Sequence, residues 1–429
     1  MAEIRPFRGI RYNRELQREL GRLVTPPYDV IDAAAEEWYY NLHPYNIIHL
    51  ELPRSAVGDK YEAAAQTLQR WLADGVLRRD DRPALYLYQQ VFRGETGPVT
   101  RTGFIASLRA EPYEAGSVLP HEETIRGHKE DRLRLLRACH TNVSSIFGLY
   151  HDPDHAVDGP LLEVVKSTPP AVQFTFQGVV ERLWAVYEEK LLAQTCQLMR
   201  SRPIYIADGH HRYETAVEFG REMRDKGRTG FDRVMVTLVN LHDPGLVIYP
   251  THRLVRGALG PRVEELLARL ERDFFIRPLS VKAEAADELL AVLKTAGSEG
   301  HAFALYAGGG QGYVLQLKAS RKPEELLTSE HSPEWRRLDV AVLHGLILEP
   351  YLGITDLTRS RGENLAYTRD AREALAGVDK GTYRLAFLMN PPRVEDVVRI
   401  AGNGEKMPQK STFFYPKLVT GLVLHQLGE

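Results

Sequence analysis

Segments with helical periodicity and segments with strand periodicity alternate along the chain, and this alternation limits the folds that are open to it. The stretch 61–77, YEAAAQTLQRWLADGVL, has the apolar spacing of an amphipathic helix. The stretches 83–92 and 100–110, PALYLYQQVF and TRTGFIASLRA, have the composition of paired strands. Two later stretches, 181–200 and 384–402, run from a strand pattern into a helix pattern. The alternation predicts a mixed α/β or α+β architecture.

Length and local composition predict three segments. A chain of 429 residues with 43% hydrophobic residues is long enough to bury more than one core. The local sequence pattern changes near residue 257. The later stretch HAFALYAGGGQGYVLQLK is typical of a hairpin whose glycines form the turn, and it is not typical of a phosphate loop. We expect an α/β domain over 1–256, a helix and strand subdomain with this hairpin over 257–330, and a C-terminal α/β segment over 331–429.

Charge and cysteine content argue against several classes of protein. The 55 basic and 57 acidic residues give a net charge of -2, so nucleic acid is not an expected partner. Cys139 and Cys196 form no CxxC pair, which argues against a disulfide framework and a cysteine-rich zinc site. The apolar runs are too short for a membrane helix, and the N-terminus is charged where a signal peptide is apolar. We expect a cytoplasmic protein, and one sequence does not define its oligomeric state.

The stretch 204–212, IYIADGHHR, predicts an anion-binding turn. Its first residues suit a buried strand and the residues after it have helical spacing, so the motif lies where a strand turns into a helix. At such a turn the first backbone N–H groups lack helical partners, and the helix dipole favours an anion. Gly209 permits a tight turn, while His210, His211 and Arg212 add donors that suit phosphate oxygens.

Asp208 is the exception in this row, because a carboxylate repels a bound phosphate. Two interpretations of it stay open: it binds a Mg²⁺ ion that bridges to the phosphate, or it caps the helix that follows. A purely structural alternative exists for the whole motif, in which Asp208 is the cap, His210 is a satisfied polar residue and Arg212 forms a surface ion pair. The functional interpretation is favoured because consecutive residues share one chemistry.

The string DGHHR at such a turn resembles the phosphate-binding motif of the ParB/sulfiredoxin-like superfamily. It is most similar to that of the free-serine kinases in this group, where the motif contacts the nucleotide. Longer segments resemble the family called domain of unknown function 1015, and together they span nearly the whole chain: TPPYDVI, LPHEETIRGHKEDRLRLL, DGHHRYETA, YPTHRLV and MPQKSTFFYPKL. The resemblance implies a ParB/sulfiredoxin-like phosphate-binding region with an additional α/β subdomain. It also implies that ATP or ADP, with Mg²⁺, binds at residues 208–212.

A charged loop at 119–133, LPHEETIRGHKEDRL, supplies further candidates. Glu122 or Glu123 is a candidate general base for a substrate hydroxyl, which phosphoryl transfer to an alcohol can use. Lys129 and Arg132 are candidate phosphate ligands. The alternative is a solvated charged loop in front of a helix, and the two interpretations are left equally open.

Three more loops contribute candidate ligands. The stretch 407–417, MPQKSTFFYPK, is not a Walker loop, because Gln409 stands where a glycine is needed. It offers Lys410, Ser411, Thr412 and Lys417, of which the first three are candidate nucleotide ligands. The candidate substrate ligands at strand ends are Asp29 in TPPYDV and Thr251, His252 and Arg253 in YPTHRL. A structural role stays the alternative for each of these loops.

Together these residues favour a nucleotide-dependent phosphotransferase that acts on a small hydroxylated metabolite, with free serine as the most specific possibility. Its catalytic set would comprise Glu122, Glu123, His210 and His211. Two alternatives stay open. A phosphatase of a small phosphomonoester such as phosphoserine would use a histidine of the motif to protonate or attack the ester, and a non-enzymatic regulator would bind the nucleotide without turnover. The expected partners are a small-molecule substrate and a nucleotide.

Overall fold

The computed structural model describes residues 2–94, 97–124, 126–257, 259–281, 286–355 and 364–428, and it describes residues 126–128 by their backbone. Strands and helices alternate along the chain, and the strands form sheets with both parallel and antiparallel pairs. The predicted mixed α/β fold class is confirmed. Among the helices in these ranges, none is long and apolar enough to cross a membrane.

The chain forms two compact units, which differ from the three predicted segments. The first unit comprises residues 1–247 and 414–429, and the second comprises residues 248–413. The chain changes from one unit to the other within β13 (Val247–Tyr249) and returns within β20 (Phe413–Tyr415). The closing residues therefore belong with the N-terminal unit, because they pair with its strands and pack into its core.

The first unit is centred on a mixed sheet. The strands of this unit are β1 (Ile4–Arg5), β2 (Ile10–Tyr12), β3 (Leu77–Arg79), β4 (Leu85–Arg93), β5 (Pro98–Arg109), β6 (Val118–Leu119), β7 (Thr141–Asn142), β8 (Ile146–Tyr150), β9 (Val172–Phe176), β10 (Val179–Val186), β11 (Ile204–Asp208), β12 (Arg233–Asn240) and β21 (His425–Gln426). The sheet has the order β6-β11-β8-β12-β5-β4-β10-β9, and β1 pairs with β5. Neighbours are antiparallel except β11 with β6 and β12 with β8. The closing strand β21 pairs with β7 and β2 pairs with β3.

The helices of this unit cover the sheet and its edges. They are α1 (Leu20–Leu23), α2 (Ala33–Leu42), α3 (Ile48–Glu51), α4 (Lys60–Ala73), α5 (Arg126–Cys139), α6 (Asp158–Ser167), α7 (Glu189–Met199) and α8 (His210–Asp225). The helix predicted over 61–77 is α4, but it ends at Ala73, and Leu77 already begins β3. The N-terminus of α4 is capped by Asp59 through the Tyr61 N–H. Tyr213 and Ala216 of α8 pack on the sheet core, which fixes the start of this helix against β11.

The second unit contains a separate antiparallel sheet. Its strands are β14 (His252–Val255), β15 (Phe274–Ser280), β16 (Ala302–Tyr306), β17 (Gln311–Leu317), β18 (Leu365–Thr368) and β19 (Leu385–Met389), in the order β15-β17-β16-β19-β14-β18. The predicted hairpin is confirmed as β16 and β17, and the glycines at 308–310 turn the chain with positive φ.

The helices of the second unit pack on this sheet around a core of small and aliphatic residues. They are α9 (Val263–Leu270), α10 (Ala286–Glu299), α11 (Pro323–Leu326), α12 (Pro333–Arg336), α13 (Asp339–Leu343), α14 (Glu349–Leu352), α15 (Ala371–Asp379) and α16 (Val394–Gly402). A π-helical turn, His344–Leu348, joins α13 to α14 and interrupts the regular helix there. The strand and helix predicted over 384–402 are β19 and α16.

Candidate functional site

The DGHHR motif lies where β11 ends and α8 begins. The strand ends at Asp208, Gly209 adopts the left-handed conformation with φ 93°, and α8 begins at His210. The pairing of β11 with β8 shifts register between Ile206 and Asp208. Such an irregularity redirects a side chain out of the regular ladder. The turn therefore presents Asp208 beside the first turn of a sixteen-residue helix.

Gly209 is required at this turn for two reasons. Its φ lies in the region that residues with a side chain rarely adopt. A Cβ atom at this position would also lie 3.0 Å from Nη2 of Arg212 and 3.0 Å from Cγ2 of Ile146. The glycine thus allows the Arg212 side chain to fold back over the turn.

Asp208 binds two cations, one on each carboxylate oxygen. Its Oδ1 lies 2.7 Å from Nζ of Lys417, and its Oδ2 lies 3.1 Å from Nη2 of Arg212. The Asp208 side chain is 18% exposed. Burial by itself would raise the pKa of Asp208, but the charges of Lys417 and Arg212 outweigh burial and lower this pKa to about 2. Asp208 is therefore ionised and holds both cations at the turn.

Neither predicted role of Asp208 fits these contacts. The N-cap of α8 is Gly209, so Asp208 does not cap the helix. Its two oxygens already contact Lys417 and Arg212, and the described ranges contain no group of three or more His, Cys, Asp or Glu side chains that could hold a metal ion. The described residues do not fit a protein-held Mg²⁺ ion, and Asp208 instead positions the two cations.

Arg212 is an internal group and not part of a surface ion pair. Its side chain is 10% exposed, and its Nη1 donates to the carbonyl of Ser145 over 2.5 Å. Arg212 and Arg132 both line a cavity of about 40 Å³, which has room for a water-sized group and is too small for a nucleotide.

His210 and His121 hold the charged loop against the turn. The backbone N–H of His121 donates to Nε2 of His210 over 3.2 Å, and Nδ1 of His121 donates to the carbonyl of Ile206 over 2.7 Å. Burial lowers the pKa of His121 to about 4, so this ring is neutral. His210 is buried and uses Nε2 as an acceptor, which does not fit its predicted role as an acid or nucleophile. His211 is partly buried in the first turn of α8.

The loop 119–133 also contacts α8 further along the helix. The hydroxyl of Thr124 donates to Oε2 of Glu214 over 2.7 Å, and Nζ of Lys129 lies 2.6 Å from the same oxygen. Lys129, a predicted phosphate ligand, is thus paired with a carboxylate. Glu122 and Glu123 follow the residue that contacts His210, so they lie beside the turn, and Glu123 is exposed. Their predicted role as a general base is compatible with this place.

Arg132, the other predicted phosphate ligand of the loop, is a buried structural group. It is 5% exposed, and its Nη2 lies 2.5 Å from Oδ2 of Asp131. Its Nη1 donates to the carbonyl of Glu51, and its guanidinium lies 4.3 Å from the ring centre of Tyr28. These contacts tie the TPPYDV segment to α5. Asp29, a predicted substrate ligand, is exposed in the short 3-10 turn that follows Pro27.

Some of the predicted ligands within the second unit line a cavity of that unit. Thr251, Arg253 and Ser411 line one cavity of about 460 Å³, a volume typical of small-molecule sites. Nη2 of Arg253 donates to the carbonyl of Lys410 over 3.2 Å, which joins the YPTHRL and MPQKST loops. Ser411 donates to the carbonyl of Pro408. These residues form a second candidate ligand site within the unit.

His252 does not face this cavity, in contrast to its neighbours. It is 1% exposed, and its Nδ1 accepts the backbone N–H of Met389 over 3.2 Å. Burial lowers the pKa of His252 to about 4, so the ring is neutral. His252 joins β14 to the end of β19, and the prediction that it binds substrate does not fit this position.

A family model described as "protein of unknown function (DUF1015)" matches residues 4–341, which is most of the chain. The chain belongs to this family. No curated protein matches the sequence. The predicted resemblance to this family is thereby confirmed, although the motif MPQKSTFFYPKL lies beyond the matched residues. The family brings no assigned activity with it.

Several solved structures are similar to this DUF1015 protein, each over 72% of its length. A conserved hypothetical protein from Pyrococcus furiosus has 15% identity, 93% coverage of its own chain and a TM-score of 0.33. A free serine kinase in complex with AMP has 13% identity, 89% coverage and a TM-score of 0.34. A variant of a free serine kinase in complex with ADP has 13% identity, 90% coverage and a TM-score of 0.35. Similarity at this level assigns no activity to the chain.

Sequence reasoning missed some residues that build the site of the DUF1015 protein. The closing segment contributes Lys417 to Asp208, whereas the predicted nucleotide ligands of that segment were Lys410, Ser411 and Thr412. A usable signal lies in β4, where two adjacent glutamines, Gln89 and Gln90, interrupt an apolar strand. Adjacent side chains of a strand point to opposite faces, so two buried glutamines indicate polar contacts on both faces of this sheet.

Proposed function

We propose that this protein is a nucleotide-dependent phosphotransferase that acts on a hydroxyl group of a small metabolite. The observation that carries the proposal is the turn in which Asp208 holds Lys417 and Arg212 beside the first turn of α8. Both cations contact the same carboxylate, and the N-terminal end of the α8 dipole adds positive potential beside them. Cations that are fixed before the ligand arrives stabilise the charge of a transferring phosphoryl group without reorganisation.

Arg212 supports the proposal through a buried donor. Within the described ranges its Nε lies buried without a hydrogen-bond partner, although its two terminal nitrogens bond to Ser145 and Asp208. Leaving a buried donor unsatisfied costs free energy. A phosphate oxygen at the start of α8 would accept from this arginine and from the N–H groups of the first helical turn.

In the proposed reaction the hydroxyl oxygen of the acceptor attacks phosphorus and forms a new P–O bond. The bond from phosphorus to the bridging oxygen of the nucleotide breaks, and the nucleotide leaves one phosphoryl group shorter. The hydroxyl proton passes to a carboxylate, for which Glu122 and Glu123 are the candidates beside the turn. Because the described carboxylates do not form a Mg²⁺ site, Mg²⁺ is expected to enter with the nucleotide.

Free serine is the first acceptor to test, because the DGHHR motif is similar to that of free-serine kinases. Nε2 of His210 accepts a hydrogen bond from the His121 N–H, which argues against His210 as the nucleophile of the phosphatase alternative. His211 lies in the first turn of α8, and the proposal assigns it contact with a phosphate or the acceptor.

The proposal is tested by phosphorus NMR of the purified protein with Mg²⁺, ATP or ADP, and serine or another hydroxylated metabolite. We expect a new phosphomonoester resonance that requires both nucleotide and acceptor. It should disappear in Lys417→Met and His211→Ala. Lys166→Met is the matched control, because Lys166 forms an exposed pair with Glu163 far along the chain from the motif.

Two outcomes contradict the proposal. Release of free phosphate from phosphoserine without any nucleotide would establish a phosphatase. Spectra that stay unchanged with every acceptor, together with saturable binding of ADP, would establish a regulator that binds nucleotide without turnover.

A further inference from the structure

We infer that a buried polar network in the large sheet positions Lys417 at the proposed site. The network consists of Tyr88, Gln90, Arg101 and Glu181, which lie on β4, β5 and β10. Each of these side chains is at most 3% exposed. The inference rests on the proposed function of the turn, and it concerns residues that contact neither the DGHHR motif nor the charged loop in any described hydrogen bond.

The network bonds to successive carbonyl groups of the closing segment. Arg101 donates through Nη1 to the carbonyl of Tyr415 over 3.2 Å and through Nη2 to that of Pro416 over 2.5 Å. Gln90 donates through Nε2 to the carbonyl of Lys417 over 3.1 Å. Three consecutive residues are therefore held by their backbone, and the last of them is the lysine that binds Asp208.

Tyr88 extends this anchor beyond the lysine. The backbone N–H of Val419 donates to the hydroxyl of Tyr88 over 3.4 Å, and this hydroxyl donates to Oε2 of Glu181 over 2.7 Å. The backbone is thus held on both sides of Lys417. The Lys417 side chain is 16% exposed, and its ammonium nitrogen lies 2.7 Å from Oδ1 of Asp208.

The members of the network also satisfy one another. Nε2 of Gln90 donates to Oε1 of Glu181 over 3.1 Å, and Nη2 of Arg101 donates to Oε1 of Gln90. The Arg101 guanidinium lies 4.8 Å from the ring centre of Phe147. Burying a guanidinium and a carboxyl group away from water is costly unless their hydrogen bonds are made. A network of this kind that ends on one segment rigidifies that segment.

A lysine needs such an anchor more than an arginine does. The flexible lysine side chain loses much conformational freedom when its ammonium group is held in one place, and the compact ammonium charge lacks the planar fork of a guanidinium. A fixed backbone at Lys417 limits the positions that the ammonium group can reach, so the cation stays near Asp208 between binding events. Gln90 and Arg101 are therefore positioning residues and not catalytic ones.

The test uses two adjacent glutamines of the same strand. Gln90→Met removes the bond to the Lys417 carbonyl together with the bonds to Glu181 and Arg101. Gln89→Met removes a buried glutamine that bonds to Thr102 and Arg182 and has no described hydrogen bond to the closing segment. The readout is the rate at which a small acylating reagent modifies Lys417 in the full chain, measured by peptide mass spectrometry relative to the rate at Lys129.

We expect Gln90→Met to raise the relative rate at Lys417 at least roughly fivefold, the population change that follows the loss of the hydrogen bond to the Lys417 carbonyl alone. Gln89→Met should leave this ratio unchanged. Equal increases of the Lys417 rate in both variants would mean that any loss of a buried glutamine from β4 loosens the fold. No increase in Gln90→Met would mean that Lys417 is held in place without the network. Either result overturns the inference.

A second pair of variants covers the case in which Gln90→Met does not fold. Tyr88→Phe removes the hydroxyl that joins Val419 to Glu181, and Tyr86→Phe is its matched control, because the Tyr86 hydroxyl bonds to Gly9 and Asp80 instead. Tyr88→Phe should raise the relative Lys417 rate and Tyr86→Phe should not. The same two opposing results would overturn the inference.

These measurements do not depend on any reaction of the protein. If the wild-type chain transfers no phosphoryl group but Gln90→Met alone exposes Lys417, the proposed function fails and the anchoring of Lys417 stands. If turnover is present and Lys417 is modified at the same relative rate in Gln90→Met as in the wild type, the proposed function stands and the positioning role fails. Where turnover is found, the positioning role also predicts that Gln90→Met weakens nucleotide binding while Gln89→Met does not.

Discussion

Each unit contains a turn at which a strand leads into a helix, and the two turns are built in opposite ways. In the first unit, β11 leads through Gly209 into α8, and Asp208 is held between two cations. In the second unit, β19 leads through 390–393, NPPR, into α16, and this turn lines the cavity of about 460 Å³. The first turn is compact and its charges are paired before a ligand arrives, whereas the second is open.

The charged groups of the second turn are held more loosely. Arg393 is the exposed N-cap residue of α16 and no side chain caps this end within the described ranges. The carboxylate of Asp396 lies 3.8 Å from Nη1 of Arg399, further than either cation lies from Asp208. A fixed turn suits a reaction that needs charge in one place, while an open turn leaves the choice of ligand to the side chains around the cavity.

The largest expected difference between the turns follows from removing one cation from each. Lys417→Met leaves the carboxylate of Asp208 partly buried with a single cation, and we expect the free energy of unfolding to fall by about 2 to 3 kcal/mol. Arg393→Met removes an exposed cation and should change it by less than about 0.5 kcal/mol. Urea denaturation of both variants measures this. Equal losses would mean that the first turn is no more tightly organised than the second.

The next difference concerns pH, because the two turns shift a carboxyl pKa in opposite directions. The folded pKa of Asp208 is lowered from 3.8 to about 2, so its ionised form stabilises the fold above pH 3.8, and this contribution is lost as the pH falls through the folded value. Burial raises the pKa of Asp396 above 3.8, so its ionised form is less stable in the folded protein than in the unfolded chain.

Asparagine substitutions isolate each carboxyl group. At pH 6, Asp208→Asn should lower the free energy of unfolding by about 2 kcal/mol, and the difference from the wild type should shrink between about pH 4 and pH 2. Asp396→Asn should raise it slightly at pH 6. Urea denaturation at several pH values provides the measurement. A pH-independent difference for Asp208→Asn would show that its charge does not stabilise the turn.

The smallest effects are expected at the glycines. Gly209→Ala places a Cβ atom in the left-handed region and 3.0 Å from Arg212, which should cost about 1 to 2 kcal/mol of unfolding free energy. At Gly402, the last residue of α16, a Cβ atom would meet no atom of another described segment within 4 Å, so Gly402→Ala should add up to about 1 kcal/mol. Thermal unfolding monitored by circular dichroism tests the pair. If both variants lose stability, or if neither does, the first turn does not need a glycine more than the end of α16 does.

The local structure of the chain could be predicted because it depends on short-range patterns. Apolar spacing identified α4, and strand-like composition identified β4 and β5. The glycine cluster identified the turn between β16 and β17. The same holds for the strand-to-helix turn at 204–212, since an apolar run, a glycine and a helical pattern follow one another there. Helical and strand periodicities are read within a few residues and do not require knowledge of the partner elements.

The roles of single polar residues could not be predicted in the same way. Arg132 and Lys129 have the charge for phosphate binding, yet buried or partly buried carboxylates pair with both. His252 and Arg253 are adjacent in β14, yet the cavity is lined by Arg253 while His252 bonds to the end of β19. Which carboxylate or carbonyl lies next to a donor is set by residues far away in the chain.

The mixed α/β class, the family and the place of the DGHHR turn follow from the sequence alone, because each of these is encoded in contiguous residues. Only the folded chain shows that Lys417, 209 positions away, completes the turn by binding Asp208. The same is true of Gln90 and Arg101, which hold the backbone around that lysine. Burial and ion pairing act between atoms that come into contact only after the sheet has formed. The sequence pattern around any one of these residues therefore does not predict its contacts.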